Sequence, residues 1–202
     1  MATPSLTRLE PDFYRIPLGK MSANPWPGRT DTKGIVSAVM ISLAMIGILQ
    51  FGERLDTLVT GGLFPVSGRV TTFILIGFGT AMYGVVPGLI VAEINPLIAT
   101  ATGSSPIAPF FFLTNGLQVL SAWLAGMIVK NPISYKYTLV HSILGTIFLT
   151  TAYIPLHVFY FRLPWSKLIP LYTAQGVATL VAPPILMYLL LRVVKNAGFT
   201  EE

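Results

Sequence analysis

Cysteine is absent from this 202-residue chain, and charge is scarce at 10% of residues. The first absence excludes disulfides, zinc-thiolate centres and cysteine-ligated clusters. The second is more decisive. A soluble domain of this size covers its surface with about 25% charged side chains. A chain with so few, 53% hydrophobic residues and a mean hydropathy of +0.70 has the bilayer as its solvent. Catalytic signatures are missing too: there is no G-x-S-x-G, H-E-x-x-H, Walker lysine loop or aspartate-rich diphosphate motif. The chain therefore reads as a non-enzyme. No segment alternates in and out with period two, which excludes a membrane β-barrel. The net charge of +5 comes with no basic face or aromatic platform, so nucleic-acid binding is not expected.

What the chain does have is long charge-free intervals, at 34–52, 70–92, 94–129, 137–161 and 168–191. A membrane helix needs roughly 20 apolar residues. The block 70–129 is too long for two comfortable helices, and it is cut here at about 70–83, 86–101 and 107–129. Pro87 stands near the start of the second piece, and the turn "TGSSP" precedes the third. The expected fold is an all-α, six-helix transmembrane bundle, with five helices plus a re-entrant segment over 84–104 as the alternative. Residues 34–195 form the membrane domain, 1–33 a proline-dotted N-terminal arm and 196–202 a short tail. No apolar core precedes Gly34, so the first helix is expected to act as an uncleaved anchor. With six helices, Arg29 and Lys33, Lys130 and Lys136, and Arg192 and Lys195 fall on one side. The positive-inside rule makes that side, and both termini, cytoplasmic.

Between Val70 and Val129 the only charged residue is Glu93. A carboxylate at membrane depth without partners is costly, which makes it a functional candidate. Asn95 lies two residues on, and Asn115 and Gln118 share a face one turn apart on the following helix; Gln175 on the last helix is placed to join them. The functional reading is a pocket for a small polar solute, built from Glu93, Asn95, Asn115, Gln118 and Gln175. The bland reading is a structural knot of one carboxylate tied by amides.

Helix association in lipid relies on close approach through small residues. Such stripes recur at Gly34-Ala38-Ser42, Gly84-Gly88-Ala92, Ala122-Gly126 and Ala174-Ala178-Ala182. Most serve packing within the bundle; one is free to serve a neighbouring subunit. Phe13, Tyr14 and Trp26 in the arm are candidates for docking across such a neighbour, against a plain arm whose Trp26 touches headgroups. His141 and His157 stand sixteen residues apart on the fifth helix, about 24 Å at 1.5 Å per residue, so they cannot share a metal. Each is either a hydrogen-bonded histidine or, more sharply, a ligand to a tetrapyrrole metal.

The stretch "GFGTAMYGVVPGLIVAEINPLIATATGSSPIAPFFFLTNGLQVLSAWLAGMI" resembles the substrate-capture subunits (S components) of energy-coupling factor transporters, over roughly residues 70–130. The resemblance implies six helices with cytoplasmic ends and capture of a vitamin-like solute or metal ion for uptake across the plasma or inner membrane. Partners would be a coupling subunit and ATPases, with no cofactor and no ATPase activity in this chain. In that family a small-residue stripe on helix 1, typically Ala-x-x-x-Ala, docks the coupling subunit. The matching residues here are Gly34, Ala38 and Ser42. The alternative is an accessory subunit of a large photosynthetic or respiratory complex, in a thylakoid or other energy-transducing membrane. In that case chlorophyll or haem would be held through His141 or His157.

Overall fold

The computed structural model describes residues 28–60, 66–102 and 108–197, and they form six helices. These are α1 (Thr32–Thr60), α2 (Val66–Tyr83), α3 (Val85–Thr102), α4 (Ala108–Val129), α5 (Tyr135–Pro155) and α6 (Trp165–Asn196). Among the described residues there is no strand. Four helical stretches, Thr32–Leu49, Ala108–Val129, Tyr135–Tyr160 and Trp165–Asn196, are long and apolar enough to cross a membrane. Their outward faces carry Met40, Leu43, Ile48, Ile147, Val177, Val181 and Leu189, all exposed. Such a surface suits lipid, and this is the build of a multi-pass membrane protein. The block 70–129 does divide into three helices, and α3 is an 18-residue helix with Pro96 inside it.

The arrangement is a hub and a rim. α2 lies against α1, α3, α4 and α6 and also touches α5. Every residue from Ile76 to Met82 is accordingly buried. Around it α1 packs on α3, α3 on α4, α4 on α5 and α5 on α6. Glycine brings these helices close. A Cβ at Gly79 would lie 2.9 Å from Val91 Cγ2, and one at Gly88 would strike the Thr80 hydroxyl. A Cβ at Gly145 would lie 2.5 Å from Phe73 Cε1.

Prolines place the tertiary hydrogen bonds. A proline has no N–H, so it leaves the carbonyl four residues earlier without its helical donor. Pro87 does this to Tyr83, and the Arg29 backbone N–H donates to that carbonyl at 2.6 Å. Pro96 does it to Ala92, and Asn115 Nδ2 donates there at 2.8 Å. One freed carbonyl thus anchors the end of the arm and the other ties α4 to α3. The α2–α3 joint is a single residue, Gly84, at φ 98°, a left-handed backbone that glycine adopts without steric cost.

Helix ends are closed by local chemistry. Asp31 Oδ1 accepts from the Gly34 N–H at 3.0 Å and from Arg29 Nε at 2.9 Å, capping α1. Ser134 caps α5 by accepting from the Tyr137 N–H at 3.2 Å. At the far end of α5, Pro155 is followed by a wider, π-helical turn over Leu156–Tyr160. This turn swings His157 towards α6.

Candidate functional site

At the end of the bundle opposite the start of α1 and the end of α6, the helices part to leave a cleft. It encloses about 430 Å³ of empty space, its open mouth included. The first turns of α2 supply Gly68, Arg69 and Thr72, and α3 supplies Asn95. α4 supplies Phe111, Thr114, Asn115 and Gln118, while Leu49, Leu149 and Tyr153 complete the wall. The hub position of α2 explains why the cleft forms there: α1, α3, α4 and α5 converge on its N-terminal turns, and the last three bring polar residues to one place.

Arg69 is the dominant group. It is 8% exposed, and its guanidinium carbon stands 4.4 Å from the Tyr153 ring centroid, in cation–π range. Phe110 meets the same ring edge-on at 5.2 Å, holding it in place. The carboxylates with described side chains are Asp31, paired with Arg29, and Glu93, and neither lies within ion-pair distance of Arg69. Thr72 donates its hydroxyl hydrogen to the Arg69 carbonyl at 3.0 Å, and Thr114 donates to the Phe111 carbonyl at 3.3 Å. Both threonines therefore present oxygen lone pairs to their surroundings. Gln118 is 1% exposed; its Nε2 approaches Asn115 Oδ1 at 3.4 Å, and its Oε1 has no hydrogen-bond partner. The cleft offers one buried cation and an unpaired amide oxygen.

Of the five residues expected to bind solute, Asn95, Asn115 and Gln118 line this cleft, and Glu93 and Gln175 do not. Glu93 sits half-buried on the α3–α4 seam; a Cβ at Gly116 would lie 3.5 Å from its Oε1, and its Oε2 is buried without a partner. Gln175 is buried on α6, also with an unpartnered Oε1. Asn115 carries a structural duty as well, because it satisfies the carbonyl that Pro96 frees. Arg69, Thr72, Thr114 and Tyr153 are polar cleft residues that sequence reasoning missed. Arg69 ends a charge-free run and reads as a loop residue on position alone; the signal against that is Val66–Gly68, too short a polar break to keep it outside the helix.

The helix 1 stripe turns inward. Gly34, Ala38 and Ser42 are all buried, and the Ser42 hydroxyl lies 2.8 Å from the Ala38 carbonyl and 3.4 Å from the Ile90 carbonyl of α3. Ala38 and Ser42 thus pack within the bundle, and Gly34 lies against Arg29. The α6 stripe points the other way: Ala174 is exposed, and Ala178 and Ala182 are half-buried. Phe13, Tyr14 and Trp26 lie outside the described residues.

The two histidines differ. His141 is fully buried, with Nε2 at 3.2 Å from the Phe73 carbonyl and Nδ1 at 2.9 Å from Ser121 Oγ. The carbonyl can only accept, so Nε2 carries the hydrogen and Nδ1 accepts from the serine hydroxyl. A Cβ at Gly77 would lie 2.6 Å from Nε2, so Gly77 is what admits the ring. Both nitrogens are engaged, and His141 is a pin between α5, α4 and α2. His157 is half-buried, with Nδ1 2.7 Å from the Tyr172 hydroxyl and its ring stacked on Tyr153 at 5.6 Å between centroids. It belongs to the aromatic wall behind Arg69. Among the described residues no group of three His, Asp or Glu side chains is placed to hold a metal ion.

No protein-family model, no curated protein and no solved structure matches the chain. The functional reading therefore rests on the cleft.

Proposed function

We propose that this chain is a non-catalytic membrane subunit that captures a small polar solute in the Arg69–Gln118 cleft, for uptake by a multi-subunit transporter of energy-coupling factor type. The observation that carries the reading is a cleft between helices with a few polar groups and an unpaired amide oxygen, Gln118 Oε1, in its wall. A buried acceptor without a donor costs roughly 1–3 kcal/mol, and a bound solute bearing N–H or O–H groups removes that cost. A few convergent polar groups in an otherwise apolar wall are what small-molecule sites require. Of the two solute classes weighed, an organic molecule is favoured over a metal ion. Among its described lining residues the cleft has a guanidinium and no carboxylate, a poor setting for a cation. By positive-inside reasoning the cleft opens on the outer face, where an uptake subunit meets its solute.

The test is retention of solute. The protein is purified gently in nanodiscs beside a Thr114→Leu variant whose larger side chain fills the cleft, and small molecules released from each are compared by mass spectrometry. A solute enriched on the unaltered protein and lost from the filled variant supports capture. Equal, empty extracts from two folded proteins remove the reading. Strong porphyrin or chlorophyll bands in the visible spectrum would replace it with the accessory subunit, holding its pigment through His141 or His157.

A further inference from the structure

Resting on that reading, we infer that Gln118 Oε1 is a fixed hydrogen-bond acceptor at the floor of the cleft, and that it selects solutes entering with an N–H or O–H donor first. Asn115 is the residue that positions it. The constraint begins at Pro96, which leaves the Ala92 carbonyl without a helical donor. A carbonyl only accepts, so the Asn115 atom lying 2.8 Å from it is the amide nitrogen. The other prong of that amide, Oδ1, then faces Gln118 at 3.4 Å. An oxygen of Gln118 at that place would set lone pair against lone pair, so Nε2 stands there and Oε1 points away from Asn115. Oε1 is buried and finds no donor among the described residues, in a side chain that lines the cleft. Without Asn115 the Gln118 amide is free to turn over, exchanging acceptor for donor.

Depth and lining narrow the solute further. Gln118 is the eleventh residue of α4, about 15 Å from the helix start at 1.5 Å per residue. It is 1% exposed, whereas Asn95 on α3 is half-buried, so Gln118 lies at the inner end and meets what enters first. Thr114 stands one turn closer to the mouth on the same face of α4. Its hydroxyl hydrogen goes to the Phe111 carbonyl, so it too is an acceptor. Leu49, Phe111 and Leu149 make the surrounding wall apolar. A molecule leading with a carbonyl or ether oxygen would set a third acceptor against these two. The solute that fits has an apolar body and a leading N–H or O–H group, as a lactam, an N–H heterocycle or an alcohol has. A site built around such a hydrogen bond rejects an analogue lacking the donor far more strongly than an apolar wall rejects a missing methylene.

The experiment uses the full chain in nanodiscs and probe pairs that differ by one N-methyl group: 2-pyrrolidone, 2-pyridone and benzimidazole, each beside its N-methyl derivative. Every N-methyl partner keeps an acceptor and loses the donor. Bound fractions are read by mass spectrometry, with protein-free nanodiscs subtracted, for the unaltered protein, Thr114→Leu, Gln118→Met and Asn115→Leu. Thermal unfolding confirms that each variant is folded. The unaltered protein should retain the N–H member over its partner by about tenfold or more, and Thr114→Leu should retain neither. Gln118→Met keeps the side chain's length, removes the acceptor and should lose the preference. Asn115→Leu should retain both members to within about twofold, because the released amide turns to suit either. A merely structural Asn115 would lower stability and leave the preference intact, and that result would overturn the positioning role. A preference that survives Gln118→Met would be steric and would overturn the acceptor. Equal retention of both members by the unaltered protein, abolished by Thr114→Leu, would leave solute capture standing and overturn the donor assignment. A co-purified solute with no N–H or O–H group would do the same. Retention of no probe together with empty extracts would remove the capture reading, and this inference with it.

Discussion

Glu93 is the residue that most attracts attention in the sequence, and its surroundings decide what it does. Its Oε2 is buried with no donor, and Gly116 across the seam has no side chain to offer one. The donors a buried carboxylate needs are absent among the described residues. The site suits an amide about as well as an acid, so Glu93→Gln is expected to leave thermal stability within about 0.5 kcal/mol. Solute retention should change less than twofold. A tenfold loss of retention would return Glu93 to the binding site. Arg69 shows the converse. It looks like a topogenic surface charge, yet it is the buried cation of the cleft. The sequence does reveal which residues are polar inside oily segments. It does not reveal which of them converge, because that depends on helix order around α2.

At the scale of elements, the three-way division of residues 70–129 was legible because glycine and proline punctuate it, and α2, α3 and α4 begin and end within a few residues of the expected cuts. The small-residue seams were legible as seams but not as to their partners. Gly34-Ala38-Ser42 turns inward and Ala174-Ala178-Ala182 turns outward, a distinction that needs the rim order. The compensation of prolines was not legible at all, since the donor for Ala92 comes from another helix. It can be measured by a double-mutant cycle. Asn115→Leu leaves the Ala92 carbonyl unsatisfied and is expected to cost about 1–3 kcal/mol. In a Pro96→Ala background the helix supplies its own donor, and the same substitution should cost less by about 1 kcal/mol. Additivity of the two changes would show that Asn115 acts elsewhere. The start of α1 gives a second check. Slight burial raises the pKa of Asp31, but the Gly34 N–H and the Arg29 guanidinium outweigh it and hold the carboxyl below its usual 3.8. A depressed pKa means that the cap's contribution is present above the unfolded value and lost as pH falls through the folded one. The Gly34 amide resonance should therefore titrate with a midpoint under 3.8. Asp31→Ala should abolish that titration and loosen the helix start by about 1 kcal/mol.

For the whole molecule, the lengths of the helices set the insertion. α2 and α3, at 18 residues each, are about 27 Å long at 1.5 Å per residue, close to the roughly 30 Å hydrocarbon core. α6, with 32 residues, is about 48 Å long on the same rise, so it tilts or projects beyond the core. Exposed Phe159, Tyr160 and Trp165 cluster at the α5–α6 turn beside Arg162 and Lys167, the aromatic and basic mixture of a membrane interface. Were all six helices to span, the start of α1 and the α4–α5 turn would lie on one side and the α5–α6 turn on the other. The absence of cysteine makes this directly testable, because no background thiol exists. Thr30→Cys, Asn131→Cys and Ser166→Cys each alter an exposed residue. Labelled on intact cells with a membrane-impermeant maleimide, Ser166→Cys should react at once, and the other two only after the membrane is opened. Reaction of Asn131→Cys and Ser166→Cys from the same side would mean that α5 does not span. Reaction of Thr30→Cys and Asn131→Cys from outside, with Ser166→Cys protected, would keep six spans but invert the molecule. The Arg69 cleft would then open to the cytoplasm, and uptake would give way to release.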